Sequence, residues 1–316
     1  MKRNTYIILT MLCILLVILV NNLPEITSSA SKIIPFKIDK EITSQTPPAR
    51  FLIIFSLIYA AIFLTGLINI ITSVARKGLK RIFTGIGKKC LKFPVSEKTS
   101  AKLIFLISFS SLIVSLSAFA MYLLQWTSIS LFLLMNMLFQ STIIFLILKY
   151  LKPDFLGLSI NLKNFLFSLK IYTVVLPIAL MALLLNIFLA DKLGVEYSLE
   201  PAIELLLLLK RKIQLFIFIL EAVILGPIAE ELLFRGFLYR LLRSKYSFAG
   251  SAVLISLFFS IMHRTPQNIL PLFVISFGLC YLYEKTKSVF APFVFHSLHN
   301  LISLILFLAV KNFFRV

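Results

Sequence analysis

G-P-I-A-E-E-L-L-F-R-G, residues 226–236, places two adjacent glutamates and one arginine inside an otherwise apolar stretch. In the residues before it, 213–225, only Gln214 and Glu221 interrupt a run made almost entirely of Ile, Leu, Phe and Val. An ionisable side chain at the centre of a membrane helix costs roughly 2.5–3.5 kcal/mol even on the insertion scale that penalises it least. Glu230 and Glu231 therefore mark a candidate functional site, and Arg235 is their nearest charged partner.

The composition indicates an integral membrane protein. The 316 residues are 59% hydrophobic, include 31 Phe and have a mean hydropathy of +0.99, which is outside the range of soluble globular domains. The net charge of +19 comes from short basic runs between apolar segments, so we expect no nucleic-acid partner. The basic loop 76–102 predicts the cytoplasmic side of the membrane. The three cysteines lie far apart and predict neither a disulfide framework nor a thiolate zinc site.

Apolar segments predict a polytopic, all-α membrane helix bundle. About nine transmembrane helices are predicted, or eight if the first segment is a cleaved signal peptide. Residues 1–200 are predicted to form N-terminal scaffold helices, and residues 201–316 a catalytic transmembrane domain. Trp126 and Thr127 are predicted to form a short turn, and 191–204 an exterior loop. The predicted spans are 6–20, 51–75, 103–125, 129–148, 165–190, 213–242, 248–262, 269–283 and 289–310.

All three histidines lie in the last third of the chain, at His263, His296 and His299. At about 1.5 Å of rise per residue, Glu230 and His263 both lie about 22 Å above the cytoplasmic turns. The same arithmetic puts His296 at about 12 Å and Asn300 at about 18 Å. His296 and Asn300 share one helix face, so we rank His299 second to them. The polar groups are therefore predicted to converge on one layer of the bundle.

The two glutamates are predicted to have different roles in the site. They are separated by about 100° around the helix, so one faces a cavity and the other braces it. Arg235 follows Glu231 by four residues, a spacing that favours an ion pair. The alternative is that all of these groups are only hydrogen bonds locking a bundle together.

Two chemistries fit these residue types. In one, a carboxylate deprotonates a water while a histidine and Asn300 stabilise the oxyanion of a peptide intermediate. In the other, Glu230, His263 and His296 hold Zn²⁺, which activates the water. The spacing does not decide between no cofactor and Zn²⁺, although H-E-x-x-H is absent. Ser260 and Ser297 are weaker candidates as nucleophiles, and a proton-coupled transporter is a further class with midmembrane Glu and His.

Three motifs occur in order: E-E-x-x-x-R at Glu230, F-x-x-x-H from Phe259 to His263, and H-x-x-x-N from His296 to Asn300. Their order and spacing resemble the CPBP intramembrane protease family. This family includes the type II CaaX prenyl endopeptidases and bacterial abortive-infection or bacteriocin-immunity proteins. The resemblance covers about 213–308.

The resemblance implies an intramembrane endopeptidase acting on membrane-embedded or lipid-anchored proteins or peptides, in a multi-pass protein of the bacterial cytoplasmic membrane. It implies Glu230 as the base, Glu231 and Arg235 as orienting partners, and His263 as the residue that holds water. His296 and Asn300 would give electrophilic support. The alternative on the same fold is a non-catalytic membrane scaffold or immunity protein.

Overall fold

The structure is a computed structural model that describes residues 5, 8–15, 64–66, 68–69, 72, 86, 93–124, 128–194, 200–263 and 265–314. Within these ranges the chain is almost entirely helical and contains no β-strand, which confirms the predicted all-α class. Residues 8–15 of the predicted span 6–20 are described and helical. Most of the predicted span 51–75, and the turn at Trp126 and Thr127, lie outside the described residues.

The described chain from residue 97 onward folds into a series of helices. Short helices flank the long ones at the polar loops, and a 3₁₀ turn at Pro266–Asn268 precedes α8. The helices are α1 (Glu97–Leu123), α2 (Ile129–Tyr150), α3 (Pro153–Leu156), α4 (Leu162–Lys192), α5 (Pro201–Leu208), α6 (Lys212–Arg243), α7 (Phe248–Met262), α8 (Ile269–Thr286) and α9 (Phe290–Phe314).

Capping residues explain why several helices begin earlier than their apolar segments. Ser96 Oγ accepts the Thr99 backbone N–H at 3.1 Å, so α1 begins at Glu97 rather than at 103. Asn161 Oδ1 accepts the Lys163 N–H at 2.8 Å and starts α4. The predicted exterior loop 191–204 is corrected in part: its end is helical, because Pro201 occupies the first turn of α5.

Among the described residues, six helices are long and apolar enough to cross a membrane: α1, α2, α4, α6, the 266–286 segment with α8, and α9. The shorter apolar helix α7 lies between the fourth and fifth of these. Large apolar side chains such as Phe145 and Leu184 are 61% and 69% exposed, which suits helix faces that contact lipid. These features support an integral membrane protein, and the total of eight or nine spans stays a prediction.

The core that positions the polar site lies where α6, α7 and α8 meet α1 and α2. Phe237, Phe259 and Tyr283 are almost completely buried there, together with Leu103 and Ile147. A second cluster packs α4 against α8 and α9. Helix α6 is therefore surrounded by other helices along the stretch that carries the two glutamates.

Helix α6 contains two π-helical segments, Glu221–Leu225 and Leu232–Tyr239, on either side of an α-helical turn at Gly226–Glu231. The Gly226 N–H donates to the Glu221 carbonyl five residues back, and a Cβ at Gly226 would lie 3.0 Å from that oxygen. Pro227 has no N–H to offer the carbonyls of the preceding turn. Such π segments are rare and are often found at functional sites.

Helix α9 supplies donors for the carbonyls that Pro227 leaves without a partner. Asn300 Nδ2 donates to the Ala222 carbonyl at 2.8 Å, and Ser297 Oγ donates to the Val223 carbonyl. These bonds satisfy buried backbone groups that would otherwise be costly. They also hold α9 directly against the first π segment.

Polar contacts also fix the other end of α6. The buried Arg243 Nη2 donates to Glu284 Oε1 at 3.0 Å, and Tyr239 Oη donates to Glu284 Oε2 at 2.8 Å. Lys287 Nζ lies 3.0 Å from the same carboxylate. This network joins α6 to the end of α8 and so sets the position of the second π segment.

Candidate active site

Glu231 and Arg235 form a fully buried ion pair. Arg235 Nη1 donates to Glu231 Oε1 at 2.8 Å, and both side chains are 0% exposed. Arg235 Nη2 also donates to the Ser276 carbonyl at 3.2 Å and to Ser276 Oγ at 2.8 Å. The guanidinium is therefore held from α8 as well as from its own helix, which fixes the carboxylate of Glu231 in place.

His296 lies against both glutamates. Its Nδ1 is 2.8 Å from Glu231 Oε1, which is hydrogen-bonding distance, and its Nε2 is 3.9 Å from Glu230 Oε2. The His296 side chain is 7% exposed. With a proton on Nδ1 shared with Glu231, the other ring nitrogen is directed toward Glu230.

Glu230 differs from Glu231 in its access to solvent. Its side chain is 38% exposed, whereas that of Glu231 is 0% exposed. One oxygen of each carboxylate, together with Arg235 Nε, is buried with no hydrogen-bond partner among the described residues. Glu230 is thus the accessible carboxylate of the pair, and Glu231 is the enclosed one.

Phe259 packs the F-x-x-x-H motif against the E-E-x-x-x-R and H-x-x-x-N motifs. Its buried ring has centroid distances of 4.6 Å to His263 and 6.0 Å to His296, and it lies 5.0 Å from the Arg235 guanidinium carbon. An aromatic face at this distance from a guanidinium is stabilising. The Phe259 ring therefore packs against residues from all three sequence motifs.

His263 and Asn300, two further predicted site residues, make their hydrogen bonds to backbone carbonyls. His263 Nδ1 lies 2.8 Å from the Phe259 carbonyl, which leaves Nε2 as its other polar atom. Asn300 donates to the Ala222 carbonyl, although its amide nitrogen carries a second N–H. His299 faces elsewhere, with its ring centroid 6.2 Å from that of Tyr172 on α4.

Sequence reasoning missed two residues of this neighbourhood. Ser276 carries no motif that would distinguish it from other serines in membrane helices, yet it binds Arg235. Glu200, just before α5, lies outside the membrane-spanning segments, and burial raises its pKa above 4.5. The positive charge of His263 opposes this pKa shift, and the negative charge of Glu230 adds to it. Glu200 therefore lies within electrostatic range of the site.

The described residues contain no group of three or more His, Cys, Asp or Glu side chains placed to hold a metal ion. The predicted zinc ligands Glu230, His263 and His296 are not among such groups in this conformation. The Nδ1 atoms of both histidines are in hydrogen bonds, and Nε2 is the ring nitrogen that each could offer to a ligand. The arrangement does not fit a bound zinc ion, so we derive no chemical step through one. Zinc dependence stays a prediction.

Comparisons with known proteins point to the same region. Residues 212–302 match the family of type II CAAX prenyl endopeptidases described as Rce1-like. A protein of Bacillus subtilis (strain 168), "Putative membrane peptidase YdiL", is 30% identical over 96 residues, which cover 30% of this chain and 39% of that protein. No solved structure matches the chain. The segment that holds all six predicted site residues, 212–302, is thus the part of the chain that is similar to the Rce1-like type II CAAX prenyl endopeptidase family.

Proposed function

We propose that this protein is an intramembrane endopeptidase that hydrolyses peptide bonds of membrane-embedded or lipid-anchored proteins or peptides. One observation carries the proposal: the His296 imidazole lies between an enclosed carboxylate, 2.8 Å from Nδ1, and an accessible one, 3.9 Å from Nε2. The match of 212–302 to a membrane endopeptidase family supports the same reaction class. Prenylated or otherwise lipidated segments are the substrates that this family suggests.

In the proposed reaction, Glu230 is the general base. Its carboxylate takes a proton from a water molecule as the water oxygen attacks the peptide carbonyl carbon. His263 holds that water through the ring nitrogen that is not bonded to the Phe259 carbonyl. Glu230 then returns the proton to the leaving amine as the carbon–nitrogen bond breaks, so that the carboxylate is regenerated.

His296 supports the negative charge that develops on the carbonyl oxygen. With Nδ1–H donated to Glu231, a second proton on Nε2 makes the ring a cationic donor directed into the site. The second N–H of Asn300 is the other proposed donor to the oxyanion, and Arg235 holds the Glu231 carboxylate in position.

The test is cleavage by the full chain in proteoliposomes. A library of membrane-spanning and lipid-anchored peptides is incubated with the wild-type protein, Glu230→Gln and His263→Ala, and products are identified by mass spectrometry. Asp154→Asn is the matched control, because Asp154 is an exposed carboxylate on α3, outside the 212–302 domain. Glu230→Gln is expected to lower the cleavage rate at least 100-fold, since a general base contributes about 10²–10⁴-fold.

Equal product formation by the wild-type protein and Glu230→Gln would refute the proposed peptidase. Loss of cleavage in Asp154→Asn as well would trace the effect to the preparation. Chelation separates the two mechanisms: activity that survives a chelator supports the glutamate mechanism. Activity that is lost on chelation and then restored by Zn²⁺ supports the zinc mechanism instead.

A further inference from the structure

Asn186 is a buried polar side chain near the end of α4, a helix long and apolar enough to cross a membrane. Its Nδ2 donates to the Pro266 carbonyl at 2.9 Å, and its Oδ1 accepts the Leu270 N–H at 3.1 Å. A side-chain amide at such a place is costly unless it is hydrogen-bonded, and membrane helices use these groups to bond to their neighbours. One side chain of α4 thus satisfies two backbone groups of the turn between α7 and α8.

The turn that Asn186 holds begins at His263, the residue that caps the end of α7. Thr265 is 1% exposed, and its Oγ1 lies 3.5 Å from the His263 carbonyl. The Asn268 N–H donates to the Thr265 carbonyl at 2.9 Å and closes the short helical turn that starts at Pro266. The Pro266 carbonyl is therefore tied to the backbone of His263 through one short segment, so a shift of the turn moves the end of α7 that carries the imidazole.

The orientation of the His263 ring depends on this end of α7. Its Nδ1 lies 2.8 Å from the Phe259 carbonyl, and because a carbonyl only accepts, Nδ1 carries a proton and donates it. Nε2 is then the ring nitrogen that is proposed to hold the attacking water. Helix ends open more readily than helix centres, so the bond from His263 to the Phe259 carbonyl lasts only while the last turn of α7 is held in place.

We infer that Asn186 is a positioning residue for His263: by clamping the turn after α7 it keeps His263 Nε2 directed at the water beside Glu230. The catalytic part of this inference rests on the proposed peptidase function, whereas the effect of Asn186 on the His263 ring does not. Asn186 lies outside 212–302, the segment that matches the endopeptidase family. Helix α4, which the sequence predicts to be scaffold, thereby contributes to the working of the site.

Ser168 offers a matched control on the same helix. It is 0% exposed, and its Oγ donates to the Ala291 carbonyl on α9 at 2.8 Å. At about 1.5 Å of rise per residue, Ser168 and Asn186 lie about 27 Å apart along α4. Ser168→Ala and Asn186→Leu each remove a buried bond from α4 to the backbone of another helix, so a general loosening of the bundle should affect both. An effect on His263 that only Asn186→Leu shows isolates the positioning role.

The first test is ¹⁵N NMR of the full chain in detergent with labelled histidine, which gives a simple spectrum because the chain has three histidines. Their imidazole signals are assigned with His263→Gln, His296→Gln and His299→Gln. In Asn186→Leu we expect the His263 Nδ1–H to exchange with water at least tenfold faster than in the wild-type protein, because the last turn of α7 opens more often. The His296 signal, and all three signals in Ser168→Ala, should stay as in the wild-type protein.

The second test is cleavage in the proteoliposome assay used for Glu230→Gln, at a temperature well below the Tm of each variant. Asn186→Leu should lower kcat at least tenfold and change KM less than twofold, because a misplaced water-holding group weakens the transition state rather than substrate binding. Ser168→Ala should keep the wild-type kcat.

Three results would overturn the inference. They are unchanged His263 exchange in folded Asn186→Leu, the same change in Ser168→Ala, and a wild-type kcat for Asn186→Leu in a preparation where Glu230→Gln is inactive. Equal cleavage by the wild-type protein and Glu230→Gln would instead refute the peptidase, and the His263 exchange rates would still test the clamp.

Discussion

Replacing Arg235 by Met should destabilise the protein far more than the loss of one surface charge. Arg235 makes hydrogen bonds to Glu231 Oε1, the Ser276 carbonyl and Ser276 Oγ, and both ends of the ion pair are 0% exposed. The variant leaves the buried Glu231 carboxylate without its arginine partner, and His296 Nδ1 is then the one side-chain atom of the described site within hydrogen-bonding distance of it. Removing one partner of a buried pair costs about 3–5 kcal/mol. At roughly 2–4 °C per kcal/mol this is a fall in Tm of about 6–20 °C.

A double variant separates the unpaired charge from the lost packing. In Glu231→Gln/Arg235→Met, the side chain at 231 is neutral and its amide still has polar atoms for His296. We therefore expect the double variant to be more stable than Arg235→Met alone, with a coupling of about 2 kcal/mol between the two positions. Additive effects of the two single changes would contradict the argument that the buried charge dominates.

Exposure of Cys280 to a thiol-reactive dye during heating is a suitable assay, because this side chain is 0% exposed in the folded protein. Cys13 and Cys90 are replaced by serine so that Cys280 alone reports. Lys245→Met is the control, since it breaks an ion pair whose partners are 59% and 57% exposed and should cost less than about 1 kcal/mol. A Tm for Arg235→Met equal to that of Lys245→Met would refute the reasoning.

Three further predictions follow from single residues, each measured as a Tm in the same detergent. Asn300→Ala leaves a π-helical carbonyl without its donor and should cost about 1–3 kcal/mol. Gly157→Ala should be more destabilising than Gly194→Ala: both have φ of 64°, but only at Gly157 would the new Cβ meet the Lys287 carbonyl, at 2.5 Å. Burial raises the pKa of Glu200, so the wild-type protein should lose stability as the pH rises from 4.5 through that raised pKa, because the unfolded chain ionises first. Glu200→Gln has no carboxylate at this position and should therefore become more stable relative to the wild-type protein over the same pH range. A difference in Tm between the two proteins that does not change with pH would contradict this.

Local spacing predicted the parts of the site that lie on one helix. The four-residue separation of Glu231 and Arg235 predicts an ion pair, and the structure has it at 2.8 Å. The 100° offset of the two glutamates predicts unequal environments, in line with a Glu230 side chain that is 38% exposed and a Glu231 side chain that is 0% exposed. These features depend only on the period of a helix, so sequence suffices for them.

The relative positions of residues on different helices were harder to predict from the sequence. Rise arithmetic places His296 about 10 Å closer to the cytoplasmic side than Glu230, yet the imidazole lies 3.9 Å from that carboxylate. The arithmetic assumes straight, upright α-helices, whereas the glutamates sit between two π segments of α6. Helix tilt and these segments depend on packing partners, which no single-sequence pattern specifies.

The two π segments explain why the glutamates lie on this part of α6. Pro227 removes an N–H and the first segment changes the hydrogen-bonding register, which leaves carbonyls that a polar side chain from a neighbouring helix can satisfy in the membrane. Asn300 and Ser297 meet that need from α9, and the same helix carries His296 one turn away. The break in α6 thus recruits the helix that brings an imidazole to both carboxylates. On this reasoning Asn300 has a structural role that is independent of its proposed contact with an oxyanion. A loss of activity in Asn300 variants therefore identifies a catalytic contact only when activity is measured at a temperature well below the lowered Tm, where the variant is folded.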